Sequence, residues 1–411
     1  MKKIFYITLL VICVACEDTV EVTHRYSRLS TNFKTYPIYL DAREILADIQ
    51  VKPSVNPHEV IKIAANDKYF FVGESMRGIH VFEKIDDHRV KPLCFIECRY
   101  IKAFDVVDNM LYCNNFVDLL VIDVENPLQA KILHREKDYF NKYGNSSFNF
   151  PVIHNSSINS NVYFIGNQHL SFTVTVTDAN PEPDLSAYDK LYENIVVKEV
   201  SEALLSGRPY AGIVNVEGKI YTLETNSLVQ VSYTDDDLFN SNPAINNFNY
   251  FSVIPTSSLK YKDGIIFVIG DGTIVFFDYF NTQNRGFFST WNSSDVVALK
   301  ETINSFVVLN NNFSILGVTL GMPQNISGNG STTFGATSII NVDDYILALG
   351  TRLTIHRFHF EHYLQTVERV RDYSNISGLA MLRDGDHLYI ANRQGLFVYD
   401  ISDLENIILI P

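Results

Sequence analysis

Asp108-Asn-Met-Leu-Tyr112, followed by Leu119-Leu-Val-Ile-Asp-Val124, is the stretch on which the fold turns. A polar pair opens it, apolar and aromatic side chains fill the first run, Asn114-Asn115 interrupts, and a second apolar run follows. Period-two alternation and short apolar runs bounded by turn residues are the mark of strands. Two such runs split by a few Asn, Asp or Gly residues read as a hairpin. The same arrangement recurs along the chain. It appears as Asp67-Lys-Tyr-Phe-Phe-Val72 with Gly78-Ile-His-Val-Phe82, and as Asn161-Val-Tyr-Phe-Ile165 with Phe172-Thr-Val-Thr-Val176. It continues as Glu217-Gly-Lys-Ile-Tyr221 with Leu228-Val-Gln-Val231, then Asp263-Gly-Ile-Ile-Phe-Val268 with Thr273-Ile-Val-Phe-Phe277. Next come Asn304-Ser-Phe-Val-Val308 with Phe313-Ser-Ile-Leu316, and Asp343-Asp-Tyr-Ile-Leu347 with Leu353-Thr-Ile-His-Arg-Phe358. The last is Asp384-Gly-Asp-His-Leu-Tyr-Ile390 with Gly395-Leu-Phe-Val-Tyr399.

These make eight hairpins, mostly about forty residues apart, which is the period of a four-stranded propeller blade. Short apolar runs precede the hairpins, such as Ile61-Lys-Ile-Ala64, Ala103-Phe-Asp-Val-Val107 and Ile339-Ile-Asn-Val342, and others follow them, such as Leu93-Cys-Phe-Ile96. Run, hairpin, run gives four strands. A single blade leaves both faces and its edges uncovered, and stacking in a ring covers them. The expectation is an all-β chain forming a single β-propeller of eight blades, with seven the alternative if the sixth unit merges into a neighbour. Two segments fall outside the repeat. Residues 17–58 form a leader with Tyr36-Pro-Ile-Tyr39-Leu40 and an expected short helix from Ala42 to Ile49. An insertion near 177–210, opened by Pro181-Glu-Pro183, interrupts the third unit, with a helix expected from Val196 to Leu205.

Composition agrees with strands. Of 411 residues 28 are Phe and 23 Tyr, against a single Trp, and Phe and Tyr suit half-buried pleated surfaces. The formal charge is -14, and loss of a leader carrying Lys2 and Lys3 makes it two units more negative. Phosphate backbones select the opposite sign, so nucleic acid is excluded as the main partner.

The start of the chain reads as an address. Met1-Lys2-Lys3 is basic, Ile4 to Ile12 is an apolar run, and Cys13-Val-Ala15 precedes Cys16, which together make the three parts of a secretory signal. The run is too short to span a ~30 Å hydrocarbon core as a helix. Val14-Ala15-Cys16 resembles the bacterial lipobox, with Cys13 standing where that motif usually has Leu. The resemblance implies lipidation of Cys16, a signal peptide over 1–15, a tether over 16–35 and a propeller domain over 36–411. Glu17 and Asp18 behind the cysteine look like the surface-export signal of Bacteroidetes-type lipoproteins, which implies an outer-membrane anchor and surface exposure, the periplasmic face being the alternative.

Leu119-Leu-Val-Ile-Asp-Val-Glu-Asn-Pro127 and Gly395-Leu-Phe-Val-Tyr-Asp-Ile-Ser-Asp403 look like the LVIVD repeat, a short propeller-blade motif, and Met76-Arg-Gly-Ile-His-Val-Phe82 is similar. With the lipobox, the chain resembles LVIVD-repeat lipoproteins of the Bacteroidetes type over 36–135 and 376–411. That resemblance implies a propeller in the cell envelope and no particular activity. Mechanically, Asp123 and Asp400 are expected to accept backbone N–H groups in the turn after the strand, and Pro127 to stop it.

Chemistry-bearing patterns are few. His356, His359 and His362 would gather only on a helix; in a strand His359 faces the other way, so no metal site is expected. Asp235-Asp-Asp237 lacks the alternating ligands of a calcium loop and reads as a solvated turn, as do Asp86-Asp87 and Asp343-Asp344. Cys94 and Cys98 lie roughly 13 Å apart along a strand, too far to bridge. Cys94, Cys98 and Cys113 are expected as buried free thiols, with Cys98–Cys113 or Cys94–Cys113 pairing between neighbouring blades as alternatives. No cofactor motif is present. The reading is therefore a non-catalytic binding or scaffolding propeller for a protein or glycan partner. Its rival is a propeller-type glycan lyase or hydrolase, which would place carboxylates with Arg, Tyr or His in one central funnel.

Overall fold

Strands alternating between a packed and an open face must stack, and the repeat supplies the stacking partners. The computed structural model describes residues 27–86, 88–141, 150, 152–155, 160–177, 185–186, 189–190, 195–198, 211–224, 227–234, 238–245, 258–262, 264–270, 273–278, 283–289, 293–298, 305–310, 314–319, 330–361 and 364–411. They fall into two compact units, one comprising Met1–Tyr39 with Ile165–Val197, the other Leu40–Phe164 with Lys198–Pro411.

The larger unit holds seven antiparallel sheets that succeed one another along the chain. Their first strands are Val60–Ala65, Phe104–Val107, Ile213–Val216, Ser258–Lys262, Ser293–Ala298, Ser338–Val342 and Ala380–Asp384, and these define blades 1 to 7. Each first strand touches the first strand of the next blade, and that of blade 7 touches that of blade 1. The ring is closed. It is a β-propeller.

Within a blade, sequence neighbours pair in order. In blade 2 the hairpin Met110–Asn115 with Asp118–Asp123 follows Phe104–Val107, and Lys131–Glu136 forms the outer edge. Blade 1 carries a fifth strand, Gln50–Pro53, outside Val90–Glu97. Asp123 Oδ1 accepts from Glu125 N at 3.0 Å, Asp400 Oδ1 from Ser402 N at 2.8 Å, and Pro127 opens a 3₁₀ turn after the strand, all as the sequence implied.

Blade count is settled at the alternative of seven. Asn161–Ile165 and Phe172–Val176 were expected as two arms of a third hairpin, yet both lie on one continuous strand, Ser160–Thr177. That strand belongs to an eighth sheet, ordered Val152–Asn155, Ser160–Thr177, Ser27–Asp41, Ile195–Val197, while blades 2 and 3 touch each other directly. Gly166-Asn-Gln-His169 has turn composition, but a partner strand alongside carries it through: His169 Nδ1 meets Thr35 Oγ1 at 2.8 Å. In the smaller unit Tyr36, Phe172 and Leu185 form a buried cluster, and Lys34 and Tyr36 both donate to Asp189. The sixth sequence unit does not merge; it is the hairpin of blade 5, Ser305–Asn310 with Ser314–Thr319. The helix expected from Ala42 to Ile49 is a single turn, Ala42–Ile45, capped by Asp41 and followed by strand from Gln50. Val196 lies in strand Ile195–Val197, and most of the helix expected beyond it is outside the described residues.

Blades 1 and 7 meet through a buried apolar cluster that includes Ile63, Phe70, Val72, Tyr389 and Val398. The rings of Phe70 and Tyr389 stand 4.2 Å apart, and Lys84 Nζ lies 4.5 Å from the Phe70 centroid. Between blades 1 and 2, Phe104 presses on Gly73, where an added Cβ would come within 2.3 Å of the ring. Phe70→Ala should cost about 3–5 kcal/mol, the range for deleting a buried aromatic. Urea unfolding followed by tyrosine fluorescence would measure it, and an unchanged midpoint would show that the blade 1–7 contact does not carry closure.

Candidate functional site

The first strands line a central cavity of about 630 Å³, within the range of small-molecule sites. Its wall is uneven. Blades 7 and 1 contribute Leu379, Met381, Ile61 and Ile63, whereas Lys62, Asp105, Asn215, Lys260 and Asp295 bring polarity from five blades.

The polar groups form two clamps of the same design. Asp105, on the first strand of blade 2, is buried and forms an ion pair with Lys62 of blade 1. Its Oδ2 also accepts from the backbone N–H of Asn215 in blade 3 at 2.8 Å, and its Oδ1 from Val106 N at 2.9 Å. Asn215 Nδ2 donates back to Val106 O at 2.8 Å. Asp295, on the first strand of blade 5, is likewise buried and paired with Lys260 of blade 4. It accepts from Ile339 N of blade 6 at 3.1 Å and from Val296 N at 2.8 Å. Each carboxylate thus ties three consecutive blades. A buried carboxylate needs such donors, since an unpaired charge there is strongly penalised.

Neither clamp was foreseen. A signal existed: Asp105-Val-Val107 and Asp295-Val-Val297 repeat one tripeptide at the same strand position, each with a lysine on the preceding blade's first strand. The third acid on the cavity wall, Glu217, accepts from Tyr261 OH at 2.7 Å. Of the groups expected in a glycan-cleaving funnel, the lining holds three carboxylates and Tyr261, and no Arg or His among the described residues. These acids already hold lysines, a tyrosine and backbone amides.

Other sequence candidates are placed as follows. Cys16 and Asp235 to Asp237 lie outside the described residues, as does His362. His356 is fully buried in strand Leu353–Glu361, its Nε2 2.8 Å from Thr354 Oγ1 and its Nδ1 without a hydrogen-bond partner. Burial, helped by the charge of Arg369, pushes its pKa from 6.5 down to about 4. Among the described residues no group of three or more His, Cys, Asp and Glu side chains could hold a metal. Asp86 is a turn residue as expected, accepting from His88 N and Arg89 N. Cys94, Cys98 and Cys113 are buried free thiols.

A buried group that sequence reading passed over is Glu74 in blade 1. One oxygen meets His80 Nε2 at 2.7 Å, the other Arg77 Nη1 at 2.6 Å, and His80 Nδ1 stands 3.1 Å from Val55 O. Both imidazole nitrogens thus lie within hydrogen-bond distance of an oxygen. Burial pushes the Glu74 carboxyl up, but the hydrogen bonds from His80 and Arg77 and their charge outweigh it and hold it below its usual range.

No protein-family description matches the sequence, and no characterised protein sequence matches it significantly. Solved structures are similar in fold. BamB from Moraxella catarrhalis aligns over 92% of this chain and 98% of its own, at 8% identity and TM-score 0.45. A protein from Lactobacillus plantarum aligns over 80% and 88%, at 8% identity and TM-score 0.47. PorZ of Porphyromonas gingivalis, described as an essential bacterial surface component of the type-IX secretion system, aligns over 88% of this chain, at 8% identity and TM-score 0.42. The chain spans only 39% of PorZ. Likeness at this level concerns the arrangement of strands and carries nothing about activity.

Two predictions follow from these buried groups. Asp105→Asn, which leaves Lys62 facing a neutral amide, should destabilise the fold by about 1–3 kcal/mol, and Asp295→Asn similarly. The sites share no partner, so the double variant should be additive in chemical denaturation. His356 is a base whose folded pKa is depressed, so it has no effect above pH 6.5. As pH falls from 6.5 towards 4 the unfolded chain takes the proton first, and stability drops by up to about 3 kcal/mol. His356→Asn should flatten that part of a stability–pH curve, and leave the further loss below the ordinary glutamate range, where Glu74 is protonated. An unchanged slope between pH 6.5 and 4 would contradict the His356 assignment.

Proposed function

We propose that this protein is a lipid-anchored envelope propeller, held at the outer membrane through Cys16, that binds or scaffolds a protein or glycan partner without transforming it. The observation that carries the non-catalytic half is the pair of cavity clamps. General acid–base work needs a carboxylate within reach of the substrate's proton. Asp105 and Asp295 each spend their oxygens on a lysine and on backbone amides from two blades, a role of holding rather than reacting. A ring so tied offers a fixed frame, and loops on such frames are where partner recognition is commonly found.

The anchor half is supported by sequence. Lys2-Lys3, the apolar run to Ile12 and Val14-Ala15-Cys16 make a lipoprotein start, and Glu17-Asp18 favours the outer surface. A lipidated cysteine carries the several acyl chains that stable anchoring requires. The likeness of Leu119–Pro127 and Gly395–Asp403 to LVIVD-repeat lipoproteins points to the same location. Among the described residues no helix is long and apolar enough to cross a membrane.

Fractionation and protease shaving of intact cells test the anchor. The native chain should sediment with outer membrane and be clipped by added protease, and Cys16→Ser should shift it to the soluble fraction. A native chain found soluble would end the anchor reading. Incubation of purified protein with envelope polysaccharides tests the other half, because release of reducing or unsaturated ends would show catalysis.

A further inference from the structure

Three thiols are buried in blades 1 and 2, and two of them touch. Cys98 Sγ and Cys113 Sγ stand 3.8 Å apart, with Cys98 2% and Cys113 0% exposed. Cys113 lies on the second strand of blade 2, opposite Phe104 and Leu120. Cys98 follows Val90–Glu97 of blade 1, in the connection that leads into blade 2. The backbone on both sides is fixed. Cys98 N donates to Arg77 O at 3.1 Å and Tyr100 N to Met76 O at 3.0 Å. Asn114, next to Cys113, holds the same connection: its Oδ1 accepts from Lys102 N and Ala103 N, and its Nδ2 donates to Tyr100 O. Cys94 is elsewhere, its thiol donating to Pro127 O at 3.6 Å.

We propose that Cys98 and Cys113 are a dithiol that closes into a disulfide joining the blade 1–2 connection to blade 2. Closure needs the sulfurs to move from 3.8 Å to about 2.05 Å, and with the backbone hydrogen-bonded on both sides this falls to rotation of the two side chains. The oxidant is a small-molecule or protein disulfide. One cysteine thiolate attacks it, forming a mixed disulfide and releasing one thiol; the second cysteine then displaces the other. Two protein thiols and one disulfide become one protein disulfide and two reduced thiols. In the finished fold this is slow. The Cys113 thiol is held well above its usual range, by its hydrogen bond with Cys98 and by burial, so little thiolate is present and no oxidant reaches it. The bond therefore forms while blades 1 and 2 are coming together, and the packed ring then shields it from reductants.

Refolding the full chain from denaturant in a mixture of oxidised and reduced glutathione tests this, with iodoacetamide quenching and peptide mass spectrometry. The expected result is a single covalent link between the Cys98 and Cys113 peptides, two hydrogens lighter than their sum, with Cys13, Cys16 and Cys94 alkylated. Cys94→Ser should keep the link, and Cys98→Ser should abolish it without freeing Cys113 to pair with Cys94. The linked protein should unfold at higher urea than the same protein after reduction in denaturant and refolding, because the closed loop restricts the unfolded chain. Recovery of folded protein with Cys94, Cys98 and Cys113 all alkylated, or a link through Cys94, would overturn the proposal. The experiment does not depend on where the protein resides in the cell.

Discussion

Closure of the ring rests on one interface made of side chains. Blade 7 is built from 380–410 and blade 1 from 50–97, so each blade completes its own sheet. Among the described residues no ladder of backbone hydrogen bonds joins the two ends of the propeller, and Phe70, Tyr389, Ile63 and their neighbours pack across the junction. Burial of a large apolar side chain is worth about 1.5–3 kcal/mol, and aromatic pairs at such distances add about 0.5–1.5 kcal/mol. His88 Nδ1 also meets His387 Nε2 at 2.8 Å across this junction. The sheet edges of every other blade are protected only so long as this interface holds.

Elsewhere around the ring, directional contacts take over. The Lys62–Asp105 and Lys260–Asp295 clamps occupy equivalent places in two successive triples of blades, 1 to 3 and 4 to 6. Apolar faces tolerate sliding; a carboxylate bonded to amides on the next blade does not. Blade 7 stands outside both triples, and apolar clusters secure it on either side. Leu388, Ile390 and Met381 pack with Leu347 and Leu349 of blade 6, and Tyr389 and Val398 with blade 1. Polar bonds and apolar packing thus act together at blade 7 as well, where Thr337 Oγ1 donates to Leu379 O at 3.2 Å and Tyr373 OH to Leu404 O at 2.7 Å beside the apolar clusters.

Most of this architecture is legible in sequence because its basic signal is local. Phe70-Phe71-Val72 and Leu119-Leu-Val-Ile122 announce buried strands by themselves, and Asp67, Asp343 and Glu217-Gly218 announce the turns between them. Blade count is different, because it depends on which first strands touch. Asn161–Ile165 and Phe172–Val176 have the same alternation as a true blade, and only the pairing of Ser160–Thr177 with Ser27–Asp41 sets them apart. The cavity was illegible for a related reason. Asp105 and Lys62 are forty-three positions apart, as blade neighbours are, and a charged residue within Ala103-Phe-Asp-Val-Val107 reads as a solvent-facing position until a lysine is found opposite it. The repeated Asp-Val-Val marks the place without naming the partner.

The division of labour between cavity and rim bears on what such a ring can do. Leu379, Met381, Ile61, Phe104 and Ile213 share the wall of a cavity of about 630 Å³ with Lys62, Asp105, Asn215, Lys260 and Asp295, so a bound group would meet both apolar and charged side chains. Yet moving Asp105 or Asp295 to engage a ligand would strip a lysine and the amides of two blades of their acceptor at once, at a cost of about 1–3 kcal/mol for each buried group left unsatisfied. Binding that used these carboxylates would loosen the frame that presents it. A ligand that left the frame intact would have to engage groups other than these two carboxylates.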